Sequence, residues 1–506
     1  MSGFWLVALM AVPLVGAGVV GAMPSGRDAT AKGLTLLFSV ATFVLSVIIA
    51  VRFKATGPRF QANLSYEWIK AFGVSFSLGI DGIALVLILL AALLVPVVVV
   101  ASWSDEMPGN RSPKAYFGWL LALEFMMIGV FAATDVFLFY VFFEAMLVPM
   151  YFLIGSFGGP RRQYAAMKFF LYSLLGGLIM LAAVITLYFA SSVHSFEFVR
   201  LVGHVDPGYQ KVLFLGFFVA FAIKAPLVPF HTWLPDAGAE APIGGSVLLV
   251  GVLDKVGTFG FLRYCLPLFP EASRYFADPV LILAVVGILY AAIVAAVQRD
   301  MKRLVSYTSI AHFGFIVIGV FAFTTQGGSG AVLYMVNHGL STGMVFLAVG
   351  ILIARGNSRI IDDYGGAAKL APVLAGVTLF AGLSALGLPG MSTFISEFLT
   401  LVGTFTVHRV YAVLATIGII FAALYVLWMY QRLFFGPAKG LVKTSAEKFR
   451  DLTGREKWVM APLIALIIAL GVYPRPILDV INPAVAATMH DVGTHDPGPT
   501  QARGGQ

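Results

Sequence analysis

Runs of about twenty apolar residues, separated by short polar connections, recur along almost the whole chain, and a run of that length crosses the hydrocarbon layer of a bilayer as one helix. Fourteen such helices are expected, the first eight near residues 4–22, 33–52, 81–102, 116–133, 135–155, 165–190, 212–234 and 242–264. The others fall near 279–298, 303–324, 331–354, 371–406, 411–434 and 458–478. The 371–406 run is too long for one straight span and holds Leu388-Pro389-Gly390 near its middle, so it predicts a single broken helix. Residues 54–80, including FQANLSYEWIKAFGVSFSLG, alternate instead of cycling and predict a hairpin on the membrane surface. The first run lacks a positive n-region and is followed at once by another, which predicts a retained helix and not a cleaved signal.

The expected fold class is an all-α polytopic membrane protein. Helices four to eight and nine to thirteen form two blocks of five, and consecutive blocks with an odd number of helices sit upside down relative to each other. In each block the fourth helix is the proline-broken one, 212–234 with Pro226 and Pro229, and 371–406 with Pro389. The domain organisation that follows is helices one to three with an external hairpin over 1–114, then a first repeat over 115–264. A second, inverted repeat covers 279–435, and a basic cytoplasmic loop, a last helix and an external tail cover 436–506. Each break frees backbone groups that lipid cannot satisfy, so it must face protein or water.

Composition agrees and adds sidedness. The chain has 506 residues, 59% hydrophobic and only 11% charged, where a soluble domain carries ~25% charged residues. Its single cysteine, Cys265, rules out a disulfide framework and a cysteine-ligated iron–sulfur cluster. The net charge of +8 would suggest nucleic acid for a soluble protein, but here it resolves into loop asymmetry and no nucleic-acid partner is expected. Of the 33 Lys and Arg, 20 fall on one set of alternate loops and 11 on the other, and the remaining two are Lys224 and Lys255. The majority side is expected to be cytoplasmic. Both termini are then expected outside, with the cell inner (plasma) membrane as the expected location.

Lys224 and Lys255 lie inside apolar runs, where an ionised side chain costs ~2.5–3.5 kcal/mol or more. Other ionisable groups share their depth on different helices: Glu144, His312, His338, and Glu397 just after the break of the twelfth helix. Asp254, His231 and Glu124 are secondary candidates, Glu124 having no obvious partner. The histidines can be read as interhelical hydrogen-bonders among Ser309, Asn337 and Ser341, and Glu144 with Lys224 as a static buried pair. That reading leaves Lys255 over. Asp236 and Glu240, in the PDAGAEAP segment, are expected to be solvated or to cap the next helix. The alternative for the whole row is proton transfer parallel to the membrane plane. A buried lysine holds its proton weakly and a nearby carboxylate restores it, so a Glu144–Lys224 pair is adjustable. No HxxxH or CxxC spacing and no phosphate-binding glycine loop is present, so no metal, nucleotide or other cofactor is expected in this chain.

KAPLVPFHTWLPDAGAEAP followed by GGSVLLVGVLDKVGTFGFLRYCLPLFP resembles the signature of the antiporter-like subunits of respiratory NADH–quinone oxidoreductase, complex I. FFEAMLVPMYFLIG, QRDMKRLVSYTSIAHFGFI, VNHGLSTGMVFLAVG and LSALGLPGMSTFISEFL carry the resemblance further. It implies a paired Glu144 and Lys224, a central relay lysine at Lys255 and an exit residue at Glu397. A glutamate at 397, where sister subunits usually carry lysine, is similar to the M branch (chain 4 in mitochondrial nomenclature), as is the absence of a long lateral arm. One position departs from the family motif, with Gly238 where His often follows PDA. The resemblance implies a proton-translocating part of a quinone-reducing enzyme, with no redox centre of its own. Flavin, iron–sulfur clusters and quinone would belong to partner subunits. The implied partners are other membrane subunits, especially the sister chains L and N, and lipids. A subunit of a multisubunit sodium/proton antiporter, or of a membrane-bound hydrogenase, is the alternative.

Overall fold

The computed structural model describes residues 2–105, 107–444, 449–494 and 496; Lys448 of the basic loop and Arg503 of the tail lie outside them. The chain begins with α1 (Phe4–Ala22) and α2 (Asp28–Arg52), then a hairpin of β1 (Gln61–Ile69) and β2 (Val74–Ile80), then α3 (Gly82–Ala101) and α4 (Pro113–Ala132). The next elements are α5 (Val136–Ala145), α6 (Leu147–Phe157), α7 (Arg162–Ala190), α8 (Pro207–Lys224), α9 (Leu234–Glu240) and α10 (Ile243–Leu268). The second half holds α11 (Ala277–Ala296), α12 (Met301–Phe321), α13 (Thr325–Gly356), α14 (Pro372–Ala385), α15 (Ser392–Phe405) and α16 (Arg409–Phe434). The last two are α17 (Gly454–Val472) and α18 (Arg475–Val492).

Among the described residues, 11 helices are long and apolar enough to cross a membrane, or up to 12 when the bent pair α17–α18 counts as one span. The expected spans missing from the 11 are those the chain interrupts. The 212–234 run stops being helical at Lys224, and the 371–406 run divides into two helices of 14 residues each. The antiparallel hairpin forms where alternation predicts it. The expected tail beyond 478 instead holds most of α18, which starts at Arg475 and is set at 70° to α17. It buries Ile481, Ala484, Val485, Thr488, Met489 and Val492, an amphipathic spacing that the apolar run of α17 had masked.

The connections sort onto two opposite faces. One gathers the basic loops, where Lys32 donates to the Trp103 carbonyl at 2.7 Å, Lys114 to that of Met23 at 2.7 Å, and Arg355 to Glu456 at 2.7 Å. The other gathers the hairpin, the start of α5 and α18, with Ser77 bonded to Thr134 at 2.9 Å and Arg59 to Asp491 at 2.5 Å. Helix α10 runs through the middle, its apolar window buried on all sides. It is not a regular α-helix. Leu249–Leu253 and Phe261–Cys265 are wound as π turns, and Lys255 stands just past the first of them.

Candidate functional site

Local chemistry puts Glu144, Lys224 and Lys255 at helix interruptions, whereas His312 and His338 lie inside the unbroken α12 and α13. Pro149 has no N–H and its ring crowds the carbonyl of residue 145, so the α5 ladder ends at Ala145, one residue beyond Glu144. The Glu144 carboxylate rests against α7 at Gly177, where a Cβ would stand 1.6 Å from its Oε1. Pro226 and Pro229 end α8 at Lys224, and the Trp233 indole donates to the freed Ile223 carbonyl at 2.9 Å. At Gly257 helix α10 crosses this end so closely that a Cβ would meet the Phe221 oxygen at 2.5 Å. The Lys224 ammonium lies 5.1 Å from the Phe143 ring centroid and 5.6 Å from that of Phe169. Its charged neighbours are Glu144 and Asp254. Among the described residues Lys224 Nζ, Glu144 Oε1 and both Asp254 oxygens have no hydrogen-bond partner. The two expected partners are therefore neighbours without a closed contact.

From Lys224 the row continues sideways. Asp254 neighbours both Lys224 and Lys255. Lys255 donates to the Val250 carbonyl inside the π turn, and its Nζ lies 2.6 Å from His338 Nδ1 on α13. The His338 ring is 5.2 Å from that of His312 on α12. Glu397, 7% exposed, folds back on the second break, where a Cβ at Gly387 would stand 2.4 Å from its Oε2. Gly387 has φ +76°, a left-handed turn that glycine adopts at no steric cost. Glu144, Lys224, Asp254, Lys255, His338, His312 and Glu397 thus occupy α5, α8, α10, α13, α12 and α15 in sequence across the molecule.

Two secondary candidates fall outside that row. His231 packs on the rings of Tyr290 and Tyr307, at 5.2 and 6.5 Å, beside Lys168 on the basic face. Glu124 is fully buried in α4, both oxygens without a partner among the described residues and no charged group beside it.

Asp236 and Glu240 are not solvated. Asp236 binds Lys168 at 2.7 Å and Arg303 at 2.6 Å, and the buried Glu240 binds Arg359 at 3.1 Å. Burial alone would raise the Asp236 carboxyl, but the Lys168 and Arg303 hydrogen bonds outweigh it and hold it below the usual carboxylate range. These pairs tie α9 to α7, α12 and the 356–363 loop. Gly238 lies among them, and a Cβ there would meet Ser306 Oγ at 2.4 Å, so the glycine leaves room for that serine. Arg263, expected in a loop, is buried in the second π turn with Asp81 at 2.7 Å and the Phe60 ring at 4.7 Å. Its neighbour in an apolar run, Arg after FGFL, was the available signal for burial. Among the described residues no group of three or more His, Cys, Asp or Glu is arranged to hold a metal ion.

The family model described as NADH:quinone oxidoreductase/Mrp antiporter, TM, matches residues 133–422, which hold every member of the row. The NADH-quinone oxidoreductase subunit M of Mycobacterium tuberculosis is 49% identical over 535 residues, covering 98% of this chain and 96% of that protein. A chain of respiratory complex I from Thermus thermophilus with bound NADH superposes with a TM-score of 0.86 at 32% identity, covering 97% of this chain and all of its own length. A chain of the Mrp complex from Dietzia sp. DQ12-45-1b superposes at 0.84 with 19% identity over 96% of this chain and 98% of its own, which shows a shared fold alone.

Proposed function

The chain belongs to the NADH:quinone oxidoreductase/Mrp antiporter membrane family, and on that premise we propose that its buried row carries protons for a translocating NADH-quinone oxidoreductase. The observation that carries this reading is the 2.6 Å approach of Lys255 to His338 at the centre of the row. An ammonium wedged between a carbonyl and an imidazole has a proton to give and a base within reach. Glu144 and Asp254 set the charge on Lys224 from two sides, so moving either changes how firmly that lysine holds its proton. The proton then passes to Lys255, to the two histidines, and outward at Glu397. Redox chemistry belongs to partner subunits, since nothing in the row changes oxidation state.

Lys255→Ala removes the carrier and leaves space that water fills. Assembly of the complex is expected to survive while proton flux and coupled quinone reduction both fall sharply. Normal protons pumped per NADH oxidised in the assembled variant would end the relay role of Lys255.

We place the basic face in the cytoplasm and read 115–264 and 279–435 as inverted repeats, each with its own broken helix. The sister chains L and N would flank this one in the membrane. Protease applied to inside-out vesicles should cut the 436–457 connection, and cutting from the outer face alone would reverse the orientation.

A further inference from the structure

Among the described residues no charged side chain bridges His312 to Glu397, and Tyr334 neighbours both of them. Helix α13 packs against α15 in a register set at two points. A Cβ at Gly330 would stand 2.6 Å from the Thr400 nitrogen, and the Asn337 amide donates to the Ser392 carbonyl at 2.7 Å and to Ser396 Oγ at 3.3 Å. Position numbers rise on α13 as they fall on α15, so Tyr334 is brought level with Ser396 and Glu397. The Tyr334 ring is also 5.9 Å from the His312 ring and 6.3 Å from that of Phe315. Glu397 is its charged neighbour, and Tyr334 is 1% exposed. A phenylalanine would fill this site as well, as Phe313 and Phe315 do nearby. Burying a phenolic hydroxyl costs free energy unless it bonds.

We propose that the Tyr334 hydroxyl joins the histidine pair to Glu397. Its O–H proton passes to the Glu397 carboxylate while its oxygen takes one from the His312 imidazolium, directly or over one water. The tyrosine O–H and the imidazolium N–H break, a carboxyl O–H and a new tyrosine O–H form, so the imidazole and tyrosine end neutral, Glu397 ends protonated, and no electron is transferred. The inference rests on the proton path proposed above. Tyr425 on α16 is the second hydroxyl neighbour of Glu397 and provides an internal control.

The test uses the whole complex in its own membranes, with assembled amount, protons per NADH and solvent deuterium effect measured together. Y334F keeps the ring and should assemble normally, with flux per NADH falling about tenfold and a larger deuterium effect, while Y425F stays near the parent. Y334H, which returns a protonatable group, should recover part of the flux that Y334F and Y334L lose. If Y334F lowers only the amount of complex, or pumps like the parent while E397Q does not, the hydroxyl has no transfer role and the path itself stands. If E397Q also pumps normally, the path is wrong as well.

Discussion

The two breaks in the molecule solve the same backbone problem in opposite ways. At the first, Ala225, Pro226 and Leu227 are buried, the freed Ile223 carbonyl is taken by Trp233, and the charge at the helix end is a cation, 1% exposed. At the second, Leu388, Pro389 and Gly390 are exposed, and the charge is a carboxylate that curls onto its own turn at Gly387. The first break is closed over by neighbouring helices around Lys224, with Pro229 reaching the surface beyond it, and the second has its whole Leu388–Gly390 turn exposed while Glu397 stays buried. A sealed charge has its environment set from within, by Glu144 and Asp254. At the second break the turn beside the carboxylate reaches the surface, though the carboxylate itself is buried. The same proline device therefore ends one helix on a buried cation and sets the other beside a buried carboxylate with an exposed turn.

Reversing charge at each break should separate them most strongly. Lys224→Glu would put a third carboxylate beside Glu144 and Asp254 with no cation to balance them, and uncompensated buried charge costs ~3–5 kcal/mol. Loss of the assembled complex is expected on native gels. Glu397→Lys, at the open break, should leave assembly intact. Equal loss for both would erase the distinction drawn here.

A smaller effect is expected from Glu144→Gln, which keeps shape and removes charge at the sealed break. Flux per assembled complex should fall about tenfold, equivalent to ~1.4 kcal/mol, and Glu144→Asp should keep part of it. A purely structural pair would give the reverse, with little complex formed and normal flux in what forms.

Smallest is the effect of Gly177→Ala, since the added methyl displaces the Glu144 carboxylate without removing it. Flux should drop about twofold to fivefold, a change of ~0.4–1 kcal/mol. An unaltered flux would show that the position of Glu144, as distinct from its charge, is unimportant.

Much of this was legible in the sequence because depth is a one-dimensional property. Counting into an apolar run places Glu144, Lys224, Lys255, His312, His338 and Glu397 in the interior, and the prolines say where helices stop. Rotation about a helix axis is not one-dimensional. The meeting of Lys255 with His338, 83 positions apart, needs the packing of α10 on α13. Tyr334 escaped notice because nothing in a run of apolar sequence separates a tyrosine that faces a carboxylate from one that faces lipid. Asp236 and Glu240 looked solvated because their partners Lys168, Arg303 and Arg359 are supplied by two distant helices and a loop. Arg263 looked like a loop cation although FGFL before it and YCLPLF after it are apolar, and only the fold shows Asp81 as its partner.

The π turns of α10 have a consequence for how the gene for such a chain can change. A widened turn holds a residue more than the α ladder would, so the helix already contains what amount to two single-residue insertions. Deleting one residue inside the first widened turn would restore the α ladder there and leave the flanking turns in phase. Deleting one from the α stretch between the two turns would rotate everything beyond it by about 100°. Arg263 would then swing away from Asp81. Codon-sized deletions between Lys255 and Gly260 should therefore be far less tolerated than one within Leu249–Leu253.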